Sequence, residues 1–277
     1  MAPRGEILFG VAGWSYPDWK GIVYPANCKD TLRAVAAKVQ LIEINNTFYR
    51  PPSAKNCASW VERTGDLGTL FTAKLPHECT HERVDDEKLF AEVREGFAPL
   101  LDSGRCLGLL AQYNHELVFG AAGVEHVARL AQHFGQDTQL FVEVRHRSWN
   151  QDNAIDALRG LGVSVLALDY PGMASGFSRD VPAAYGNHHV AYFRLHGRNP
   201  AWFQKGAGRD QVYDWRYSSR EVTEIAQRAQ RLADGATRTL VVANNHFHGK
   251  AMILIDELLQ WYRGQTGGAP AAPPASG

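Results

Sequence analysis

Polar residues interrupt an apolar alternation along LFVEVRHRSW, from Leu140 to Trp149, and they fall on one side. Residues two apart in a β-strand share a face. Phe141, Glu143 and Arg145 therefore face one way, while Leu140, Val142 and Val144 face the other, an apolar side fit for helices to cover. The pattern recurs in YFRLHG, where Tyr192, Arg194 and His196 share a face opposite Phe193 and Leu195, and in LIEINNTFY, with Glu43 and Asn45 opposite Ile42 and Ile44. Three strands of this kind imply one shared polar cavity.

The remaining elements follow from periodicity and punctuation. ILFGVAG from Ile7 reads as the first strand, followed by the aromatic loop GWSYPDWKGIVYP and a helix over Asp30 to Val39. After LIEINN, Ser53 caps a helix carrying Trp60 and Val61, and Leu70 to Leu75 forms the third strand. Asp86 opens a helix whose Leu89, Phe90, Val93, Phe97, Leu100 and Leu101 repeat at helical spacing. Cys106 to Gln112 is the fourth strand, a helix follows near Val124 to Phe134, and LFVEVRHRSW supplies the fifth strand. Asp152 to Leu161 is helical, and GVSVLALD, ending at Asp169, is the sixth strand. Tyr170 to Asn187 reads as a glycine- and proline-containing loop before VAYFRLHG, the seventh strand. A second long loop, Arg198 to Ser218, holds Trp202, Tyr213, Trp215 and Tyr217. Helix Ser219 to Asp234, strand TRTLVVANN and helix Gly249 to Tyr262 close the pattern.

Eight strands alternating with helices over about 250 residues are the signature of an α/β fold of the (β/α)8 TIM-type barrel. A doubly wound sheet is the alternative, but GVAGW lacks the glycine spacing of a nucleotide fingerprint. The barrel is assigned to residues 1–263, and the Gly/Ala/Pro-rich segment 264–277 reads as a disordered tail.

Composition narrows the function classes. The 277 residues, 45% hydrophobic and 21% charged, suffice for a large core. Lys plus Arg and Asp plus Glu both number 29, so no net charge draws the molecule to DNA or anionic membranes. Any nucleic-acid site would be a local patch. The four cysteines form no CxxC pair, no signal-like run precedes the first strand, and no apolar run approaches the ~20 residues of a membrane span. A cytoplasmic protein with reduced thiols and no membrane role is the expectation.

Barrel active sites form at the C-terminal ends of the strands. Here those ends hold Trp14, Glu43, Asn45, Lys74, Gln112, Glu143, Arg145, Asp169, Arg194, His196, Asn244 and Asn245. Lys74, Arg145 and Arg194 could hold a phosphate or carboxylate. Glu43, Glu143 and Asp169 are candidate acids or bases, His196 could move protons near neutral pH, and Lys74 joins them as a catalytic candidate. Asn45, Gln112, Asn244 and Asn245 add neutral hydrogen bonding, and Trp14, Tyr49 and the loop aromatics could close over a ligand. The competing explanation is an ion-pair network that only holds the mouth together. HECTH, His77 to His81, matches HExxH, but it follows Pro76 directly after a strand and shows no amphipathic helix of its own, so it is not read as a zinc site. No cofactor and no metal ligand set is assigned.

The motifs GWSYPDWKGIVYP, IEINNTFYRPPS, FTAKLPHECTHER, VEVRHRSW, YFRLHGR and NNHFHGKA fall in order between Ile7 and Trp261. Together they resemble the YecE-like family, domain of unknown function 72. The resemblance implies a barrel related in shape to sugar isomerases and endonuclease IV, with no settled reaction. The positions matching family motifs are Trp14, Glu43, Asn45, Thr47, Phe48, Tyr49, Lys74, His81, Gln112, Glu143, Arg145, Trp149, Asp169, Arg194, His196, Gly197, Tyr217, Asn244 and Asn245. His77 is not among them. After Gln112 the family continues with a proline-rich turn, whereas this chain has YNHELVFGAAG, so the fourth loop departs from the pattern.

Three functions fit these residues. The first is an enzyme, hydrolytic in this reading, applying acid–base chemistry to a small anionic ligand. The second is a nucleic-acid-binding or endonuclease-like barrel, and the third is a barrel that binds a small ligand without catalysis. The oligomeric state is left open.

Overall fold

Alternating strands and helices build a parallel barrel. A computed structural model describes residues 5–171, 178 and 185–266. The strands are β1 Glu6–Ala12, β2 Leu41–Ile44, β3 Leu70–Lys74, β4 Cys106–Gln112, β5 Leu140–Glu143, β6 Ser164–Val165, β7 Ala167–Asp169, β8 Val190–Leu195 and β9 Arg238–Ala243. They follow the order β6-β5-β4-β3-β2-β1-β9-β8-β7. Every pairing is parallel.

β6 and β7 are two halves of the sixth barrel strand. The first half pairs with β5 and the second with β8, so the interruption at Leu166 joins the two edges. Leu166 still donates its amide to the Val142 carbonyl at 3.0 Å. The Ser164 hydroxyl crosses to the Val190 carbonyl at 2.8 Å, which ties β6 to β8.

The helices are α1 Thr31–Ala36, α2 Ala54–Arg63, α3 His77–Thr80, α4 Glu87–Asp102, α5 Ala121–Phe134, α6 Asp152–Gly160, α7 Arg209–Val212, α8 Ser219–Ala233 and α9 Lys250–Thr266. Ser53 caps α2, Asp86 caps α4, and Ser218 with Glu221 forms a reciprocal capping box on α8. The apolar stripe of α4 buries Phe90, Val93, Phe97 and Leu100 as its spacing predicts. None of the described helices is long and apolar enough to cross a membrane.

Several boundaries differ from the sequence expectation. β5 stops at Glu143, so Arg145 lies beyond the ladder and reaches its place from a loop. α5 begins at Ala121, earlier than Val124. HECTH does contain a helix, the single turn α3. α9 continues to Thr266, across the expected start of the tail, because glycine at 264 weakens a helix without ending it. The rest of the tail, 267–277, and most of the loop expected over Tyr170 to Asn187 lie outside the described residues.

Glycine fixes the spacing between the first two strands. Gly10 pairs with Leu41, and a Cβ at Gly10 would stand 2.1 Å from the Leu41 carbonyl oxygen. We expect Gly10→Ala to force β1 away from β2 and destabilise the protein by about 1–3 kcal/mol. An unchanged denaturant midpoint would show that the barrel absorbs the methyl group without strain.

Candidate functional site

Strand parity brings the charged residues together. Glu43 pairs in register with Thr72, and Gln112 with Glu143, so each pair shares a face. Tyr192 and Arg194 alternate onto the interior of β8, where the Tyr192 ring meets Phe141 edge-on at 4.9 Å. Arg194 is wholly buried at the centre. Its Nη2 donates to Glu43 Oε1 at 2.7 Å, and its Nη1 donates to Gln112 Oε1 at 2.9 Å and to Glu143 Oε2. Glu143 Oε1 accepts from Arg145 Nε at 2.9 Å and Nη2 at 2.6 Å. Tyr192 donates its hydroxyl to Glu43 Oε2 at 2.5 Å and lies 3.0 Å from the Thr72 hydroxyl.

The charges of this cluster are coupled. Burial pushes the Glu143 carboxyl up, but Arg194, Arg145 and His196 outweigh it and hold the group well below the usual range. Glu43 is likewise held low, because Arg194, Lys74 and the Tyr192 hydroxyl overcome its desolvation. Arg194 stays charged although burial opposes it, since Glu143 and Glu43 flank it. Two carboxylates thus neutralise two guanidinium groups.

Lys74 stands apart from that balance. Its Nζ lies 3.9 Å from Glu43 Oε1 and 5.7 Å from the Phe48 ring centroid, and it makes no hydrogen bond to any described residue. The backbone beneath it is fixed, because Thr47 donates its hydroxyl to the Lys74 carbonyl at 2.7 Å. Burial, reinforced by the nearby Arg194 charge, brings the amine down to about 7 against the pull of Glu43. The amine opens on a cavity of about 310 Å³ bordered by Asn45, Tyr49, Tyr213 and Asn244. Oδ1 of Asn45 is buried there with no protein partner.

His196 borders a second, smaller space and meets the first cavity through Asn244. Asn244 Nδ2 is 3.0 Å from His196 Nδ1, so with the amide donating, the ring proton sits on Nε2, 3.5 Å from Glu143 Oε1. Burial takes the ring down to about 4 despite Glu143, well below the neutral range in which it was expected to move protons. Beside it, Glu143, Arg145, Trp202 and His115 line a space of about 20 Å³. That is room for about one water molecule. Trp202 covers this side, its ring 5.5 Å from both the His196 ring and the Arg145 guanidinium.

Other expected site residues are placed differently. Asp169 pairs in register with Leu195 and so faces the helices, away from the interior. There it accepts from Arg198 Nη2 and from the Tyr217 hydroxyl, each at 2.9 Å, and Tyr217 in turn accepts the Gly197 amide at 3.0 Å. Asp169 and Tyr217 therefore brace the turn after β8. Gly197 makes that turn at φ +86°, where a Cβ would stand 2.7 Å from that of Trp215. Arg194 has no exposed surface for an anion, because both of its terminal nitrogens point at carboxylates.

Trp14 packs edge-on against Trp60 at 5.6 Å, and Tyr49 is 62% exposed at the rim. His81 meets the Phe48 ring at 4.9 Å, and Asn245 donates to the Trp215 carbonyl at 2.9 Å. His77 turns toward Glu78 at 3.3 Å and Glu82 at 3.1 Å. Among the described residues, no group of three or more His, Cys, Asp or Glu is arranged to hold a metal ion.

Sequence reasoning missed Thr72 and Arg198 as parts of the site, and it placed Tyr192 on the interior face and Tyr213 in the covering loop without giving either a role of its own. Parity put Tyr192 on the face of Arg194 but not its bond to Glu43. Tyr213 comes from a loop after β8 and carries no periodic signal.

Fold and mouth together define a parallel α/β barrel with a desolvated ionic network where its strands end. The chain belongs to the family described as protein of unknown function DUF72, whose model matches residues 8–276. A DUF72 family protein from Thermotoga maritima superposes with a TM-score of 0.82 at 28% identity, over 93% of this chain and 99% of that one. One from Enterococcus faecalis gives 0.79 at 22% identity, over 92% and 94%. The UPF0759 protein YunF of Bacillus subtilis is 23% identical over 260 residues, 88% of this chain and 90% of its own length.

Removing the central guanidinium would leave two carboxylates buried without their counter-ion. We expect Arg194→Met to cost about 3–5 kcal/mol near neutral pH. Because both carboxyls are depressed in the folded state, the stability they contribute is present above the unfolded carboxyl range and is lost as pH falls through their folded values. The deficit of the variant should therefore shrink on acidification. Denaturant midpoints compared at neutral and acid pH check both points, and a constant deficit would contradict the coupling.

Proposed function

We propose that the chain is an enzyme that performs acid–base chemistry on a small anionic substrate at the barrel mouth, with Lys74 exchanging the proton. The observation that carries this reading is the Lys74 amine, unbonded on the wall of a cavity and brought down to about 7 by burial. A group titrating there is half protonated near neutrality and passes a proton in either direction at little cost. Protonated, it adds a positive charge opposed chiefly by Glu43, which lies 3.9 Å away and is already bonded to Arg194, and that supports an anionic ligand. Asn45, Tyr49, Tyr213 and Asn244 would supply the neutral hydrogen bonds and flat surfaces that orient it.

The proton-carrying role thereby moves from His196 to Lys74. Glu43 and Glu143 are held ionised by their guanidinium partners and act as fixed charges that tune the amine. A long nucleic-acid strand needs accessible cations along its backbone. Arg194 and Arg145 instead turn to Glu143, which favours the small ligand.

A lysine with a depressed folded value contributes its penalty where it is charged in both states. That penalty is complete below about 7 and vanishes as pH rises toward the unfolded value of 10.5. Lys74→Met should therefore be more stable than the natural chain near pH 6, by about 1–3 kcal/mol, and lose that advantage in alkali. A lower midpoint for the variant on the acid side would mean that the ammonium is a net structural asset.

Reactivity gives the direct test. Trace acetic anhydride acetylates the unprotonated amine, so Lys74 should label with a midpoint near 7 while surface lysines follow about 10.4. Malonate or inorganic phosphate filling the cavity should slow that labelling. A Lys74 profile matching the surface lysines would overturn the reading.

A further inference from the structure

We propose that Lys74 is a covalent site: its Nζ condenses with the aldehyde or ketone group of a small substrate that also carries a carboxylate or phosphate. The proposal rests on the reading above and names the substrate class of the same cavity. Its basis is geometric. A base that only removes protons can be a carboxylate, and Glu43 on β2 and Glu143 on β5 both reach the guanidinium at the mouth. Both are locked, since Arg194 bonds each and Tyr192 and Arg145 take the remaining oxygens. The group left free to face the cavity is a primary amine, and a primary amine does what neither a carboxylate nor an imidazole does: it forms a double bond to carbon.

Its surroundings suit each stage. The amine makes no hydrogen bond to a described residue, so in its neutral form the lone pair is not engaged by any of them. The Phe48 ring on one flank keeps that side apolar. The carbonyl carbon accepts the Nζ lone pair, and one Nζ proton moves to the former carbonyl oxygen. That hydroxyl takes a proton from solvent and leaves as water, and the product is a protonated imine. The positive charge then sits where the ammonium did, with Glu43 Oε1 3.9 Å away. A fixed carboxylate there stabilises the iminium electrostatically and has no free oxygen with which to attack it. The iminium draws electrons from the adjacent carbon and makes its C–H or C–C bond labile. Asn45 borders the same cavity beside the amine, where its amide can meet the rest of the substrate. A cavity of about 310 Å³ confines the class to small molecules.

Borohydride trapping decides the matter. The full chain is incubated with glyoxylate, pyruvate or glyceraldehyde 3-phosphate, reduced with sodium borohydride, and digested for peptide mass mapping. Reduction converts the imine to a secondary amine and fixes the adduct. We expect the peptide containing Lys74 to carry at least ten times the adduct of any other lysine under limiting probe, saturably. Lys74→Met, which on the argument above folds at least as stably as the natural chain, should lose that adduct, but the map of the natural chain decides by itself. Adducts distributed over exposed lysines, with Lys74 no higher than the rest for any probe, overturn the proposal. If Lys74 nevertheless acetylates with its midpoint near 7, the acid–base reading stands and only the covalent step falls. If it acetylates like a surface lysine, both fall.

Discussion

The guanidinium of Arg194 is the group on which the mouth of this barrel depends. It sits without solvent contact between Glu43 and Glu143, residues 151 and 51 positions away in the chain. An isolated ion in such a place costs several kcal/mol, and the mutual attraction offsets this only with good geometry and satisfied oxygens. Here all four carboxylate oxygens have donors: two belong to Arg194, one is shared with the Arg145 fork, and one accepts from Tyr192. The arrangement requires β2, β4, β5 and β8 to stand at their observed registers, because Gln112 also accepts from Arg194. A barrel with one strand slipped by a residue would turn its charged side chain toward the helices, leaving the others unpaired. The network thus enforces closure even if its net contribution to stability is small.

Much of this was legible, and the reason is periodicity. In β2, β5 and β8 the polar residues follow the two-residue repeat, so Glu43, Glu143, Arg194 and His196 could be assigned to one interior before any coordinates. The same rule corrects the error at Asp169. It shares its side with Val165 and Ala167, which face the helices, and being last in its strand does not turn it inward. What no repeat reveals is the contribution of loops. Arg145 lies beyond the ladder and returns to Glu143, Arg198 crosses to Asp169, and Tyr213 reaches the cavity from a loop whose path depends on packing against the finished barrel. Electrostatics was also beyond the reach of pattern. Arg145, Arg194 and Lys74 look alike as cations in the sequence, but two of them are hydrogen-bonded to carboxylates while the third stands 3.9 Å from Glu43.

Under the proposed reading, that difference lets a structural network and a functional site occupy the same mouth. The paired charges create a desolvated, rigid wall, and an additional amine placed against that wall loses its proton far more readily than a lysine in water. Arg194 acts on Lys74 twice: its own positive charge disfavours a second cation nearby, and its bond to Glu43 holds the carboxylate 3.9 Å from Nζ, outside hydrogen-bond range. Were Glu43 free to swing onto Nζ, the pair would close and the amine would remain an ordinary ammonium. The ion pairs of the mouth therefore leave one amine without a hydrogen bond to a described residue at the cavity wall, and under the proposed reading the stability sacrificed in burying Lys74 is what makes its chemistry available near neutral pH.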